Sequence, residues 1–229
     1  GVEDGSAGSA SVTIDSDWAG ALTFTNCGQT GQDGPSQSQC DSSYSGSTLD
    51  GIVSVSGGVQ SWTVPATATY RIQAYGAEGN HSTHGGGDGA YVSGDFALSS
   101  GEVIYIVVGQ QGSVESGNSN RSGGGGGGSF VYKSDLTLLL AAGGGGGHLG
   151  YSGGSYNCSS SAGTHNSNGQ PPCGGSGAGG SSGSGGISDG VHGCSGGGGA
   201  GWNSSGSGHA TGPRISECGR QHGTIKLRL

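Results

Sequence analysis

Hydrophobic and polar residues alternate between residues 22 and 142 with the two-residue period of β-strands. Residues 69–75 (TYRIQAY) are the clearest case. One predicted face carries Tyr70, Ile72 and Ala74, and the other carries Arg71, Gln73 and Tyr75. Similar runs, separated by Gly/Ser/Asn clusters, predict further strands at 22–25, 52–55, 62–64, 90–98, 103–108, 130–133 and 137–142. Short strands without a helical period predict an all-β, antiparallel sandwich of the jelly-roll kind.

Alternation returns in residues 224–229 (TIKLRL), after a long stretch with almost no aliphatic or aromatic side chains. The simplest organisation is one sandwich formed by residues 11–142 and 222–229, interrupted by a glycine-rich insertion at 143–221. Residues 1–10 (GVEDGSAGSA) have the composition of a linker or a remnant of the expressed fragment.

Glycine makes up 58 of the 229 residues, and in the insertion it recurs at every third residue in two series, 174–186 and 190–199, that are offset by one residue. Polyproline II has three residues per turn, so glycine at every third position lies along one edge of a rod and allows a second rod to approach closely. We therefore expect the insertion to be an ordered bundle of polyproline II helices, although Gly/Ser tracts also form flexible linkers. The glycines expected to face neighbouring rods are Gly174, Gly177, Gly180, Gly183, Gly186, Gly190, Gly193, Gly196 and Gly199.

Six cysteines and four Asn-x-Ser sequons favour an extracellular protein. The Cys-x2-4-Cys pairs of structural zinc sites are missing from the sequence, so disulfides are the better interpretation, and six cysteines allow 15 pairings. The candidate glycosylation sites are Asn80, Asn120, Asn157 and Asn203, some of which are expected by chance in a chain this rich in Asn and Ser.

The charges and the remaining motifs exclude several function classes. A net charge of −8 with seven scattered Lys and Arg residues argues against a nucleic-acid partner, and nothing approaches the roughly 20 apolar residues of a membrane span. Gly-x-Ser-x-Gly occurs around Ser152 and Ser195, but in low-complexity sequence that lacks a strand before it and a helix after it. His81, His84 and Asp88 are better explained as a solvated loop than as a metal site. We expect no catalysis, no metal and no cofactor.

Several segments together resemble the extracellular glycine-rich domain of the anaplastic lymphoma kinase and leukocyte tyrosine kinase receptors. They carry the signatures Val-Pro-Ala-Thr at 64–67, Val-Gly-Gln-Gln-Gly at 108–112 and Ala-Ala-Gly-Gly-Gly-Gly at 141–146, and a Cys-Gly … Gly-Pro-Ser-Gln … Cys pattern at 27–40. The resembling segments are 24–44, 62–78, 89–112, 120–133, 138–147 and 222–229.

The resemblance implies a tumour-necrosis-factor-like sandwich with an inserted polyproline II bundle. It also implies binding of small basic cytokines that dimerise the receptor. Residues 148–221 share only composition with that family, and no ligand-contact residue can be matched to a position here. The acidic charge and the resemblance together favour an extracellular recognition module that binds a basic protein ligand. We expect it to be a monomer or a ligand-induced dimer. A secreted structural or adhesive matrix protein is the alternative, and an ice-binding protein is a minor one.

We predict three local disulfides, Cys27–Cys40, Cys158–Cys173 and Cys194–Cys218, because short loops close most readily. Non-reducing peptide mapping should recover these three linked pairs. A bridge from Cys27 to a cysteine beyond residue 150 would overturn the pairing, and six free thiols would overturn the extracellular assignment.

Overall fold

The computed structural model describes residues 10–15, 21–31, 33–79, 87–112 and 124–147. Two antiparallel sheets pack face to face, as expected for an all-β, jelly-roll-like fold. The strands are β1 Ser11–Asp15, β2 Leu22–Thr25, β3 Val53–Ser56, β4 Val59–Thr63, β5 Ala68–Tyr75, β6 Tyr91–Leu98, β7 Val103–Val107, β8 Ser129–Lys133 and β9 Leu138–Ala142.

The first sheet has the strand order β2-β1-β5-β6 and the second has the order β3-β4-β7-β8-β9. All eight strands predicted between residues 22 and 142 are present, with ends shifted by at most a few residues. The alternation predicted for β5 is confirmed, because Tyr70, Ile72 and Ala74 are buried while Arg71 is exposed. Strand β1 was not predicted, although Val12 and Ile14 alternate with polar residues in its five residues (SVTID).

One helix, α1 at Gln37–Tyr44, lies between β2 and β3 and was missed in the sequence. Its apolar periodicity is weak, but its start has a clear signal. The Ser36 hydroxyl accepts a hydrogen bond from the Gln39 N–H, and the Gln39 side chain accepts one from the Ser36 N–H. This capping box could have been found from the sequence Ser-x-x-Gln after Pro35.

The N-terminal half of the helix is attached to the sandwich at two positions. The predicted disulfide Cys27–Cys40 is present and links α1 to the end of β2, closing a loop of 13 residues. A loop of that size stabilises a fold by about 3 kcal/mol. At the first residue of the helix, the Gln37 amide nitrogen donates to the Val53 carbonyl at 3.0 Å, and the Gln37 amide oxygen accepts from the Val55 N–H at 2.6 Å. Edge strand β3 thereby has part of its free backbone satisfied by a side chain.

The main core lies between the inward faces of the two sheets. Strands β1, β2 and β5 contribute one set of buried residues, and β4, β7, β8 and β9 contribute the other. Trp62 and Tyr70 meet across the interior with their ring centroids 5.8 Å apart in an edge-to-face arrangement. The largest fully buried side chains include Tyr70, Phe24, Ile14, Ile72, Ile104 and Ile106.

A buried polar network joins α1 to both sheets. The Tyr44 hydroxyl donates to Gln60 Oε1 at 2.7 Å, and the Gln60 amide nitrogen donates to the Thr25 carbonyl at 2.7 Å. The Thr25 N–H donates in turn to the Tyr44 hydroxyl at 2.9 Å. Gln60 is only 1% exposed, so each of these bonds replaces one that water can no longer make.

Backbone contacts between glycines occupy one end of the sandwich. Five segments outside the strands meet there, and we call this region the glycine junction: residues 76–79, 87–90, 109–112, 124–128 and 143–147. A methyl group on Gly76 or Gly79 would overlap the carbonyls of Gly143 and Gly146 respectively. Gly144 faces the Gly126 carbonyl in the same way. These positions exclude any side chain, because the neighbouring atoms are backbone and cannot rotate away.

Hydrogen bonds between these segments satisfy the backbone without a sheet. The Ala77 N–H donates to Gly127, the Gly126 N–H to Gly145 and the Gly145 N–H to Ala77, at 2.8 to 2.9 Å. Gly76 and Gly79 pack on Gly143 and Gly146, so the close contacts repeat every three residues. That repeat is the one on which the polyproline II prediction for the insertion rests.

Several predictions fall outside the described residues. They are residues 148–221 of the insertion with its nine periodic glycines, the sequons Asn80, Asn120, Asn157 and Asn203, the bridges Cys158–Cys173 and Cys194–Cys218, and the closing strand at 224–229. All of these, with the proposed domain boundaries, stay predictions.

Replacing Gly144 by Ala should destabilise the protein by about 2 kcal/mol or more, because the new methyl group would collide with the Gly126 backbone. Gly101→Ala is the control. Gly101 has φ +83° and open space around its Cβ position, so alanine there meets only the left-handed penalty of about 1 kcal/mol. Urea unfolding would measure both. Equal losses in the two variants would contradict backbone interlocking at the junction.

Replacing Tyr44 by Phe should cost about 1 to 3 kcal/mol near neutral pH, because Gln60 loses its buried hydrogen-bond donor. Burial raises the pKa of Tyr44 above its ordinary value of 10.0, and the hydrogen bonds that its hydroxyl makes with Thr25 and Gln60 oppose the shift. As pH rises past that value, the unfolded chain releases its phenol proton before the folded chain does. The stability that Tyr44 contributes is therefore complete below about pH 10 and is lost as pH rises towards the folded-state pKa.

Urea unfolding of the parent and Tyr44→Phe at several alkaline pH values tests this dependence. The difference in unfolding free energy between the two proteins should decrease above about pH 10. Burial also raises the pKa of Tyr132, but that residue is present in both proteins and cancels in the comparison. If the difference in unfolding free energy between the two proteins does not change with pH, Tyr44 is not the cause of the stability lost at alkaline pH.

Candidate functional site

The outward face of strands β5 and β6 is the best candidate for a binding surface. Side chains pair there in rows across the two strands, Tyr75 with Tyr91, Gln73 with Ser93 and Arg71 with Asp95. We call these six residues the β5–β6 outer face. They face away from the core because β5 and β6 point every second residue towards solvent.

Aromatic and amide side chains are held in place at one end of this face. The rings of Tyr75 and Tyr91 have centroids 4.7 Å apart and planes inclined by 35°. The Gln73 amide nitrogen donates to the Tyr91 hydroxyl at 2.7 Å. Tyr91 still has 38% of its surface exposed, so it offers a partner an apolar ring whose orientation is already fixed. Ring orientation fixed before binding lowers the entropy lost on association.

Charged side chains form the next feature of the same surface. Arg71 donates from Nε and Nη2 to the two carboxylate oxygens of Asp95, both at 2.8 Å. Hydrogen bonding from Arg71 lowers the pKa of Asp95, so that carboxylate stays ionised in ordinary buffers. Asp15 of β1 lies opposite Arg71 in the register of the sheet. Two carboxylates and one guanidinium leave this row with one net negative charge.

The glycine junction sets the position of the tyrosine pair. Tyr75 precedes Gly76 and Tyr91 follows Ala90, and the Gly76 N–H donates to the Ala90 carbonyl at 2.9 Å. The buried hydroxyl of Ser129 donates to the Tyr75 carbonyl at 2.7 Å and accepts from the Gly109 N–H at 3.0 Å. Backbone bonds on both sides therefore fix where β5 ends and β6 begins.

The outward face of the second sheet is different. Phe130, Tyr132 and Val107 point away from the main core, yet they are only 2%, 5% and 7% exposed. Tyr105 stacks on Tyr132 with ring centroids 5.3 Å apart. This face forms a second apolar cluster, in which Phe130 and Tyr132 are buried and Tyr105 is half-buried. Among the described strands, an open face carrying tyrosines and acids is therefore found on the first sheet.

Few of the residues selected from the sequence as candidate sites contribute to this surface. Cys27 and Cys40 form a disulfide at the α1 side of the sandwich. Asp88 is described and exposed, whereas His81, His84, Ser152 and Ser195 lie outside the described residues. The described residues contain no cluster of three metal-ligating side chains and no helix long and apolar enough to cross a membrane. The pairing of Tyr75 with Tyr91 was missed because it depends on strand register.

Comparison with curated proteins finds similarity to a receptor. The leukocyte tyrosine kinase receptor of Mus musculus is 45% identical to this chain over 101 residues. The aligned residues are 41% of this chain and 11% of the receptor, so the chain spans only a small part of its relative's length. No family model matches the chain.

The aligned region lies in the ectodomain of that receptor, which agrees with the disulfide of α1 and with the resemblance noted in the sequence. The β-sandwich of the described residues agrees with the fold expected from the same resemblance. The chain is extracellular, and over these 101 residues it is similar to the ectodomain of a leukocyte tyrosine kinase receptor.

Proposed function

We propose that this chain is a receptor-type recognition module that binds a basic protein ligand through the β5–β6 outer face. The observation that carries the proposal is a contiguous set of side chains on the outward side of the first sheet: exposed Tyr91, half-buried Tyr75 and Gln73, and the exposed pair of Arg71 and Asp95. Tyrosine and arginine are enriched at the centres of protein interfaces, and an acidic row favours a basic partner.

The similarity to a receptor ectodomain supports a protein ligand. The net charge of −8 on this chain favours a ligand that is positively charged. A long-range acidic field accelerates the encounter with a basic protein, and the acceleration decreases as salt screens it. Binding alone is proposed, without catalysis and without a cofactor. The glycine junction serves this role by keeping Tyr75 and Tyr91 in register, which lowers the cost of ordering them on contact.

A structural or adhesive role in a matrix is the competing function. The interlocked glycine backbones of the junction would suit a rigid spacer. That role does not require an open face with preoriented tyrosines, and for this reason recognition is the better supported of the two.

Candidate basic extracellular cytokines, titrated against the full chain at low and at physiological ionic strength, test the proposal. We expect saturable one-site binding that weakens with salt. Tyr91→Ala should weaken it by about tenfold or more, because the ring is the largest apolar contact on the face. Asp95→Asn should slow association at low salt. Asp41→Asn removes the same charge from exposed helix α1 and should change association much less.

Two outcomes would contradict the proposal in different ways. Salt-sensitive binding that survives both Tyr91→Ala and Asp95→Asn would place the ligand on another surface. No binding of any basic cytokine, together with firm retention of the chain on extracellular matrix, would favour the structural role.

A further inference from the structure

The hairpin between β8 and β9 carries the second exposed apolar feature of the described residues. We call residues 134–138 (SDLTL) the hairpin tip, and all five are exposed. Leu136 is 47% and Leu138 is 38% exposed, and they are two of the four large apolar residues that stand out from the described surface. Two leucines so close together on one turn form a small patch, whereas single exposed apolar residues are common.

Leu136 occupies a backbone conformation that leucine rarely adopts. Its φ is +65°, and its N–H donates to the Lys133 carbonyl at 2.9 Å, closing a four-residue turn. The Lys133 N–H donates to the Thr137 carbonyl at 3.0 Å directly behind it. In a hairpin loop of this design the left-handed position normally holds glycine or asparagine. A leucine there weakens the fold without burying its own side chain, so folding does not account for it.

The tip is anchored by an ion pair at its base and carries a negative charge. Lys133 Nζ lies 2.7 Å from Glu102 Oε1, which ties the hairpin to the turn between β6 and β7. Asp135 accepts a hydrogen bond from the Thr137 N–H at 3.0 Å, and this bond lowers the pKa of Asp135. Lys133, Glu102 and Asp135 together carry one net negative charge. The lysine is already paired with Glu102, so Asp135 remains to attract a cation.

The tip also lies away from the β5–β6 tyrosine pair. Strand β9 begins at Leu138 and runs towards Ala142 and the glycine junction, so the tip is at the opposite end of the second sheet. Tyr91 begins β6 at the junction end of the first sheet. A molecule on the tip would therefore use a surface separate from the β5–β6 outer face.

We propose that the hairpin tip is a second protein-docking surface, on which Leu136 and Leu138 contact an apolar side chain flanked by a lysine or arginine of the partner. Leu136 supplies apolar contact on a fixed turn, and Asp135 supplies the charge that selects a basic neighbour. The inference goes beyond the proposed function, because it assigns a second surface and a chemistry for its partner.

A random peptide library displayed on phage is the probe, selected on the immobilised full chain and counter-selected on Leu136→Asn. Asparagine tolerates the left-handed conformation, so Leu136→Asn should melt at a temperature roughly 2 °C or more above the parent. Leu138→Thr keeps strand propensity and removes the second leucine. Ile52→Asn is the control, because Ile52 is also 47% exposed and precedes β3 at the far edge of the same sheet.

Selected peptides should carry an apolar residue next to Lys or Arg. They should bind Leu136→Asn and Leu138→Thr at least tenfold more weakly than the parent, and Ile52→Asn as well as the parent. Asp135→Asn should reduce their binding most at low salt. The proposal fails if no peptide distinguishes the parent from Leu136→Asn, if those that do lack basic residues, or if Leu136→Asn melts below the parent. Because the probe is a peptide, these results do not depend on the cytokine titrations.

Discussion

Contact between glycine backbones is the constraint on which the rest of the structure depends. In most domains the ends of strands are joined by loops whose side chains fill the space between them. Here the space at one end of the sandwich is too narrow for a Cβ atom at Gly76, Gly79, Gly144 and Gly145. The segments pass one another at hydrogen-bonding distance, so the backbone itself supplies both the packing and the polar partners. Strands β5, β6, β7, β8 and β9 all enter or leave this region, and their mutual positions follow from it.

This constraint divides the molecule into parts stabilised by different means. Apolar burial between the sheets stabilises the interior in the ordinary way, with Trp62 and Tyr70 meeting at its centre. The α1 side relies on a disulfide and on the Tyr44, Gln60 and Thr25 network. The strand ends, the helix and the core are each stabilised by other residues. The side chains on the outward face of the first sheet are therefore not needed to stabilise the fold. For this reason they can be polar, aromatic and exposed.

The periodic parts of the fold could be predicted from the sequence, whereas the parts that depend on register or close approach could not. Alternation located eight strands, and the spacing of Cys27 and Cys40 gave the correct bridge. Helix α1 was missed because its composition is polar, although the Ser36 and Gln39 capping box marked its start. Gly76 and Gly79 stand singly in the sequence, and the glycine run at 124–128 does not indicate which segments it contacts. Their role appears only once distant segments are brought together, as does the pairing of Tyr75 with Tyr91.

The glycine junction also has a consequence for the order of folding. Its partners are far apart in the chain, as in the contact of Gly76 with Gly143, and glycine offers no apolar side chain to draw them together early. Closing such long loops costs entropy before any contact can offset it. The sheets must pair first, and a register error in any one of five strands would leave the junction open. Closure of the junction is therefore a late event that reports on the whole sandwich, and amide protons such as those of Ala77 and Gly145 would acquire protection from exchange only when every strand is in place.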